Sequence, residues 1–251
     1  MPTTIVASLI LMNRKGINEK DLLKKALWLG QTLKKRKIFI QSQGLPTKST
    51  IQVGLEHLKD YLENKRGSYQ PNITPQVDYS NYIMLWYYRN PLNFAFFNEA
   101  VVIASLFSFG DEQAWTTGVE KAPLFEKVMF LSKLLKRETV LKDRVHDQQV
   151  FEYVLGFMKS EGTLLETDGK FILNGENETQ VLFPVSILWP IIDTYYLSAL
   201  FLVSIQKESE LDKVEILKKI QWMGEQLFED RTIQYFESCN QDSIKNAVEE
   251  F

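Results

Sequence analysis

QQVFEYVLGFMKSEGTLLETDGKFILNG, residues 148–175, is the stretch that sets the frame for the chain. Residues 148–160 carry the patterning of an amphipathic helix. Two short strands, TLLE and KFILN, then flank a Thr-Asp-Gly turn in which Gly169 is free to take positive φ, the signature of a hairpin. A helix followed directly by a hairpin has the order of a winged-helix module. Such modules often contact nucleic acid, yet this wing carries Glu161, Glu166, Asp168, Glu176 and Glu178 against Lys170. Phosphates would be repelled, so a protein-contacting version of the module is expected and nucleic acid is not an expected partner.

On either side the pattern is helical. Upstream, 125–137 reads as an amphipathic helix. Downstream, VLFPVSILWPIIDTYYLSALFLVSI (181–205) is a long apolar run in which Asp193 is the one charge and which Pro184 and Pro190 are expected to break. Residues 211–228 and 232–248 complete this side as amphipathic helices. Toward the N-terminus, 3–12 is helix-like, 13–16 a turn, and Asn18 caps a second helix with Asp21 at its third position. Leu22, Ala26, Leu29 and Leu33 form that helix's inner face, with Leu23 and Leu27 beside it. Lys34, Lys35, Arg36 and Lys37 follow at its end, where cations complement the helix dipole. A strand is expected at 38–41, a helix from Ser49 or Thr50 to about Asn64, and a loop over 65–80.

A second apolar run, YIMLWYYRNPLNFAFFNEAVVIASLFSF (82–109), holds two formal charges, Arg89 and Glu99. Pro91 divides it into two helices, with Asn90 expected as N-cap and Pro91 at the first helical position. The second helix is apolar on nearly every side, which means burial in a core or contact with lipid. A span needs about 20 apolar residues, and Asn93, Asn98 and Glu99 interrupt this one, so a buried core helix is the leading expectation. Arg89 then has three readings: an ion pair with Asp193 or Glu99, contact with another domain, or, with Asn90, a phosphate corner at a helix N-terminus. The ion pair is favoured because buried charges need partners.

The fold class is therefore mainly α: a multi-helix bundle with one or two small hairpins, including a winged-helix-like part. The whole of 1–251 is read as one domain, divisible into halves 1–118 and 119–251 at the break over 110–123. Helix, loop and apolar run recur in the same order in both halves, a faint echo without a repeated residue motif.

Composition narrows the function classes. Lys plus Arg is 29 against 32 Asp plus Glu, a net charge of −3, which lacks the basic excess of a dedicated nucleic-acid binder. One cysteine, Cys239, allows no internal disulfide, and two histidines with one cysteine make no His/Cys zinc site of the usual count. No metal is expected. His57 and His146 lie in no nucleophile setting, and P-loop, GxGxxG, HExxH and GxSxG motifs are all missing. No catalytic residue is assigned. The N-terminal MPTTIVASLILMNRKG has the form of neither a secretory signal nor a transit peptide.

WYYRNPLNFAFFNEAVVIASLF resembles a segment in the C-terminal region of the glycerol-3-phosphate and dihydroxyacetone-phosphate acyltransferases. TTIVASLILMNRKGINEKDLLKKALWLGQTL is similar to the helix–turn–helix that follows the catalytic domain there. FLSKLLKRETVLK and FEYVLGFMKSEGTLL resemble the paired helices before its hairpin, ILWPIIDTYYLSALFLVSI the long helix after it, and IKNAVEEF the start of a closing helix. These segments are collinear over nearly the whole chain. The resemblance implies an intracellular, membrane-associated protein of glycerolipid synthesis, mitochondrial or peroxisomal. Its parent enzyme would draw acyl groups from acyl-CoA or acyl carrier protein, with no cofactor held by this chain. The family's catalytic motif is HxxxxD, the histidine serving as general base. Here Leu62 stands five residues after His57 and Phe151 five after His146. The expectation is an accessory domain that packs against the acyltransferase domain, with a membrane surface as a further partner. The alternative is a stand-alone helical interaction module that has lost the enzyme.

Overall fold

The computed structural model describes the chain except for residues 1, 37, 39–44, 74–78, 140–144 and 206–210. It is mainly α, with two small three-stranded antiparallel sheets, and it divides into compact units at Ala95/Phe96. The seam expected at 118/119 falls inside the second unit. The strand expected at 38–41 lies largely outside the described residues.

The first unit begins with α1 (Pro2–Met12), buried on nearly every side, and α2 (Glu19–Lys35), with the two-residue strand β1 (Ile17–Asn18) between them. Asn18 caps α2 as expected: its side chain accepts the Asp21 amide at 2.9 Å. Leu22, Ala26, Leu29 and Leu33 are fully buried. Next comes α3 (Lys48–His57), opened by Thr47 rather than by Ser49 or Thr50. It does not run to Asn64. A 3-10 turn at Lys59–Tyr61 leads into β2 (Leu62–Lys65), which pairs with β3 (Ser68–Pro71), and β1 lies against β3 with Ile17 opposite Tyr69. Arg66 and Gly67 both take positive φ, 54° and 83°, as a two-residue type I′ turn demands. The unit closes with α4 (Ser80–Arg89).

Gly54 shows how tightly α1 and α3 meet. A methyl group there would lie 2.7 Å from Val6 Cγ2 and 2.9 Å from the Pro2 carbonyl oxygen. Gly54→Ala is expected to cost about 1–3 kcal/mol, read as a lower denaturation midpoint.

The joint after α4 corrects one expectation. Asn90 is no N-cap: its φ and ψ of −46° and −36° are helical, and Asn90–Leu92 forms a 3-10 turn. Pro91 relaxes the helix through this tighter turn instead of ending it, and α5 (Asn93–Phe107) follows at once.

The second unit takes up α5 from Phe96 and repeats the order of the first. A π turn (Gln113–Thr117) precedes β4 (Val119–Glu120), then α6 (Lys121–Leu134), α7 (Gln148–Ser160), β5 (Leu164–Thr167) and β6 (Lys170–Leu173). Val119 lies opposite Phe171, giving the order β4-β6-β5, just as the first unit has β1-β3-β2. Asp168 and Gly169 turn the hairpin at φ 52° and 75°. Helix, short strand, two helices and a hairpin, with the short strand on the hairpin's last strand, is winged-helix topology. It occurs twice.

After the second wing comes α8 (Glu178–Ser204), unbroken although Pro184 and Pro190 lie inside it. Each proline forfeits the backbone bond to the carbonyl four residues before it, but both are buried within the helix's apolar packing. Among the described residues α8 is the one helix long and apolar enough to cross a bilayer, and half of its most apolar window is buried. A capping box of Asp212 and Glu215 opens α9 (Lys213–Glu229). The single helix expected over 232–248 is instead a buried 3-10 turn (Phe236–Cys239) and α10 (Gln241–Glu250), separated by Asn240, whose side chain caps α10.

Candidate functional site

Arg89 ends α4 with 1% of its surface exposed, next to the half-turn formed by Asn90. Asn90 Oδ1 receives the Asn93 side chain at 3.5 Å, a long contact across the joint. Two further arginines of the first unit converge on α4 and the joint. The Arg14 guanidinium stacks 4.8 Å over the Tyr82 ring, and Arg36, the C-cap of α2, donates to the Ala95 carbonyl. Along the sequence Arg36 belongs to a dipole-compensating run, and Arg14 stands in a turn with no signal of its own. Their spacing along the chain gives no hint that one reaches Tyr82 and the other Ala95.

Glu99 and Asp193 belong to the second unit, so the ion pair expected for Arg89 would be one between units. Glu99 is 9% exposed on α5. The adjacent Asn98 holds the Val145 amide through its side-chain oxygen at 3.2 Å. Asp193 is half-buried on α8, and burial pushes its carboxyl up to about 6, with the Ser238 hydroxyl acting in the opposite direction. Helices α5 and α8 meet through Phe96–Phe183 and Phe107–Trp189 ring contacts, at centroid distances of 5.1 and 6.4 Å.

A polar cluster that the sequence did not disclose lies where the segment after α6 meets α8 and α10. Glu138 accepts the Tyr195 hydroxyl at 3.1 Å and the Ser243 hydroxyl at 3.2 Å, with Asn246 also bonding to it. Burial raises its carboxyl above the ordinary range despite these donors. Beside it Arg137 pairs with Glu249 and Glu250, Lys136 with Glu250 at 2.7 Å, and Lys213 of α9 with Glu249 at 2.8 Å. The bonds fasten α10 to two other parts of the unit. The one sequence signal was a Lys-Arg pair at 136–137 and a Glu-Glu pair at 249–250, too far apart to be matched by eye.

None of these groups is set up as a nucleophile or a general base. His57 is exposed and touches Thr3 Oγ1 at 3.3 Å; His146 is exposed beside Asp147, whose carboxylate caps α7. Cys239 is buried, and its thiol is pushed up to about 12 by burial and neighbouring carboxylates, so it carries almost no thiolate at neutral pH. Among the described residues no three His, Cys, Asp or Glu side chains are grouped to hold a metal ion. What the arrangement does is lock helices together.

The family model described as "Glycerol-3-phosphate acyltransferase C-terminal region" matches residues 1–251, the whole chain. No curated protein matches the sequence.

Proposed function

Because the chain belongs to the glycerol-3-phosphate acyltransferase C-terminal region family, we propose that it is the accessory region of a glycerolipid O-acyltransferase. In this reading it packs against an acyltransferase domain that carries the HxxxxD motif, supports that domain, and transfers no acyl group alone. The observation that carries the reading is a family match over the full length in a chain whose two histidines are followed five residues on by Leu62 and Phe151. The polar groups described above support it, since they are spent on joining helices. Arg89, almost wholly buried, is assigned a structural role and not contact with substrate phosphate.

Association with a membrane surface belongs to the same reading. The outer face of α8 supports it: Tyr196, Leu200 and Val203 recur at helical spacing and are 57%, 43% and 86% exposed.

The test is enzymatic. The chain alone is expected to give no acyl transfer from acyl-CoA or acyl carrier protein to glycerol 3-phosphate or dihydroxyacetone phosphate. Adding it to an HxxxxD domain of the family is expected to raise that domain's activity or lifetime. Turnover by the chain alone would refute the proposal.

A further inference from the structure

The net charge of −3 hides a strong division. The first unit, residues 1–95, holds fourteen Lys and Arg against six Asp and Glu, an excess of eight positive charges. The second holds fifteen against twenty-six, an excess of eleven negative charges. The acidic-wing argument against anionic partners therefore applies to the second unit only. The first wing turns through Lys65, Arg66 and Gly67, all exposed.

Four of the fourteen cations lie on one helix face. On α2, Lys20, Lys24, Gln31, Lys34 and Lys35 are exposed and fall on the side opposite the buried Leu22, Ala26, Leu29 and Leu33. The face extends about 22 Å from Lys20 to Lys35. Half-buried Leu27 lies within it, seven residues from both Lys20 and Lys34, and half-buried Trp28 along its edge. Lys25, off this face, donates to Asn13 Oδ1 at 2.7 Å, and Arg36 donates to Ala95.

Helix stability does not account for the face. Lys34 and Lys35 suit a helix C-terminus, but Lys20 lies in the first turn, where the dipole disfavours a cation. Lys20 and Lys24 also stand four residues apart, a repulsive like-charge pair. A winged helix that reads DNA would place such cations on its second helix of the pair, the one before the wing. Here that helix is α3, and its exposed middle shows Gln52, Val53, Glu56 and His57, with Glu56 paired to Lys59.

We propose that the lysine face of α2 docks the first unit on an anionic lipid surface. Long lysine stems can lie along Leu27 and Trp28 while their ammonium groups reach lipid phosphates, and each such lysine near an anionic bilayer strengthens binding roughly fivefold. The proposal rests on the membrane-association part of the reading above and is independent of the accessory role.

The experiment is co-sedimentation of the full chain with phosphatidylcholine vesicles, with and without phosphatidylserine, at low and high salt. Wild type is expected to bind the anionic vesicles and to be released by salt. Lys20→Gln/Lys24→Gln/Lys34→Gln is expected to lose at least roughly tenfold in partitioning, with an unchanged circular-dichroism melt. Lys218→Gln/Lys219→Gln, on α9 of the second unit, is expected to bind like wild type. Equal binding to both vesicle types, or a triple variant that binds like wild type, overturns the lysine face while leaving membrane association standing. No binding to either vesicle overturns both. Tighter binding to duplex DNA than to anionic vesicles at equal salt, or a salt-sensitive dimer that the triple variant abolishes, overturns it in favour of those partners.

Discussion

Replacing Arg89 by alanine is expected to destabilise the chain by about 3–5 kcal/mol, the usual cost of removing one member of a buried charged pair. The side chain is 1% exposed, so its charge has been taken out of water and must be balanced within the fold. The variant leaves the balancing group unmatched and opens a cavity at the end of α4. For a chain of this size, each kcal/mol moves the melting midpoint by about 2–4 °C, so a drop of roughly 10 °C is the expected reading. Arg89→Met keeps much of the volume and loses the charge, and it separates the two contributions. A melting midpoint unchanged in Arg89→Ala would remove the structural role. Double-mutant cycles with Glu99→Gln and Asp193→Asn then report which carboxylate, if either, couples to the arginine.

Asp193→Asn is expected to stabilise the chain at pH 7.5 by about 1–3 kcal/mol, the upper figure following from the full rise of its carboxyl and the lower one allowing for partial exposure. The sign follows from linkage. Burial raises this carboxyl from 3.8 to about 6 in the folded chain. The unfolded state therefore gives up its proton first as pH rises, and ionised Asp193 opposes folding above about pH 6. Lowering the pH from 7.5 to 5 should stabilise wild type relative to the Asn variant, and the gap between them should narrow by about half, closing only as pH falls through 3.8. The carboxylates of Glu152, Glu249 and Glu250 have the opposite displacement, held low first by bonds from Lys121, Lys213 and Lys136. Their stabilisation is lost only as pH falls through 4.5 and below, outside the window used here. Urea denaturation of both proteins at pH 5 and 7.5 measures the gap. An Asn variant less stable than wild type at pH 7.5 would mean that Asp193 is needed as a charge, as it would be if it were the partner of Arg89.

How far the fold could be read in advance depended on whether local chemistry or long-range packing set each feature. The second wing was legible because Asp-Gly marks a type I′ turn between two apolar strands. The first wing has the same backbone, but Leu62–Lys65 and Ser68–Pro71 are polar and half-buried, and Arg66 is an unusual residue at positive φ. Without alternation or an Asn-Gly or Asp-Gly pair, it passed for helix and loop. The Asn18 cap was legible; the one assigned to Asn90 was not, because a 3-10 turn can carry proline through a joint with no cap. The prolines of α8 misled for a related reason. Proline penalties are local, while the burial that offsets them comes from residues far along the chain.

The repeated topology was faintly visible as a recurring order of helix and apolar run, and the strand β1, only two residues long, was the piece that could not be read. Two residues carry no period. Once Ile17 is placed opposite Tyr69 and Val119 opposite Phe171, both units show the same topology. Of the candidate site, Arg89, Glu99 and Asp193 stood out as charges in apolar runs. Glu138 and the pairs of Lys136 and Arg137 with Glu249 and Glu250 did not, since charged residues in charged segments usually face water.

A scaffold of two winged helices, in which Glu138, Lys136, Arg137 and Lys213 fasten helices to one another, fits a domain that holds another domain in place. Titration calorimetry between the full chain and an HxxxxD acyltransferase domain of the same family tests this most directly. The account predicts saturable one-to-one binding that raises the melting temperature of the acyltransferase domain. Heats indistinguishable from dilution, with that melting temperature unchanged, would contradict it.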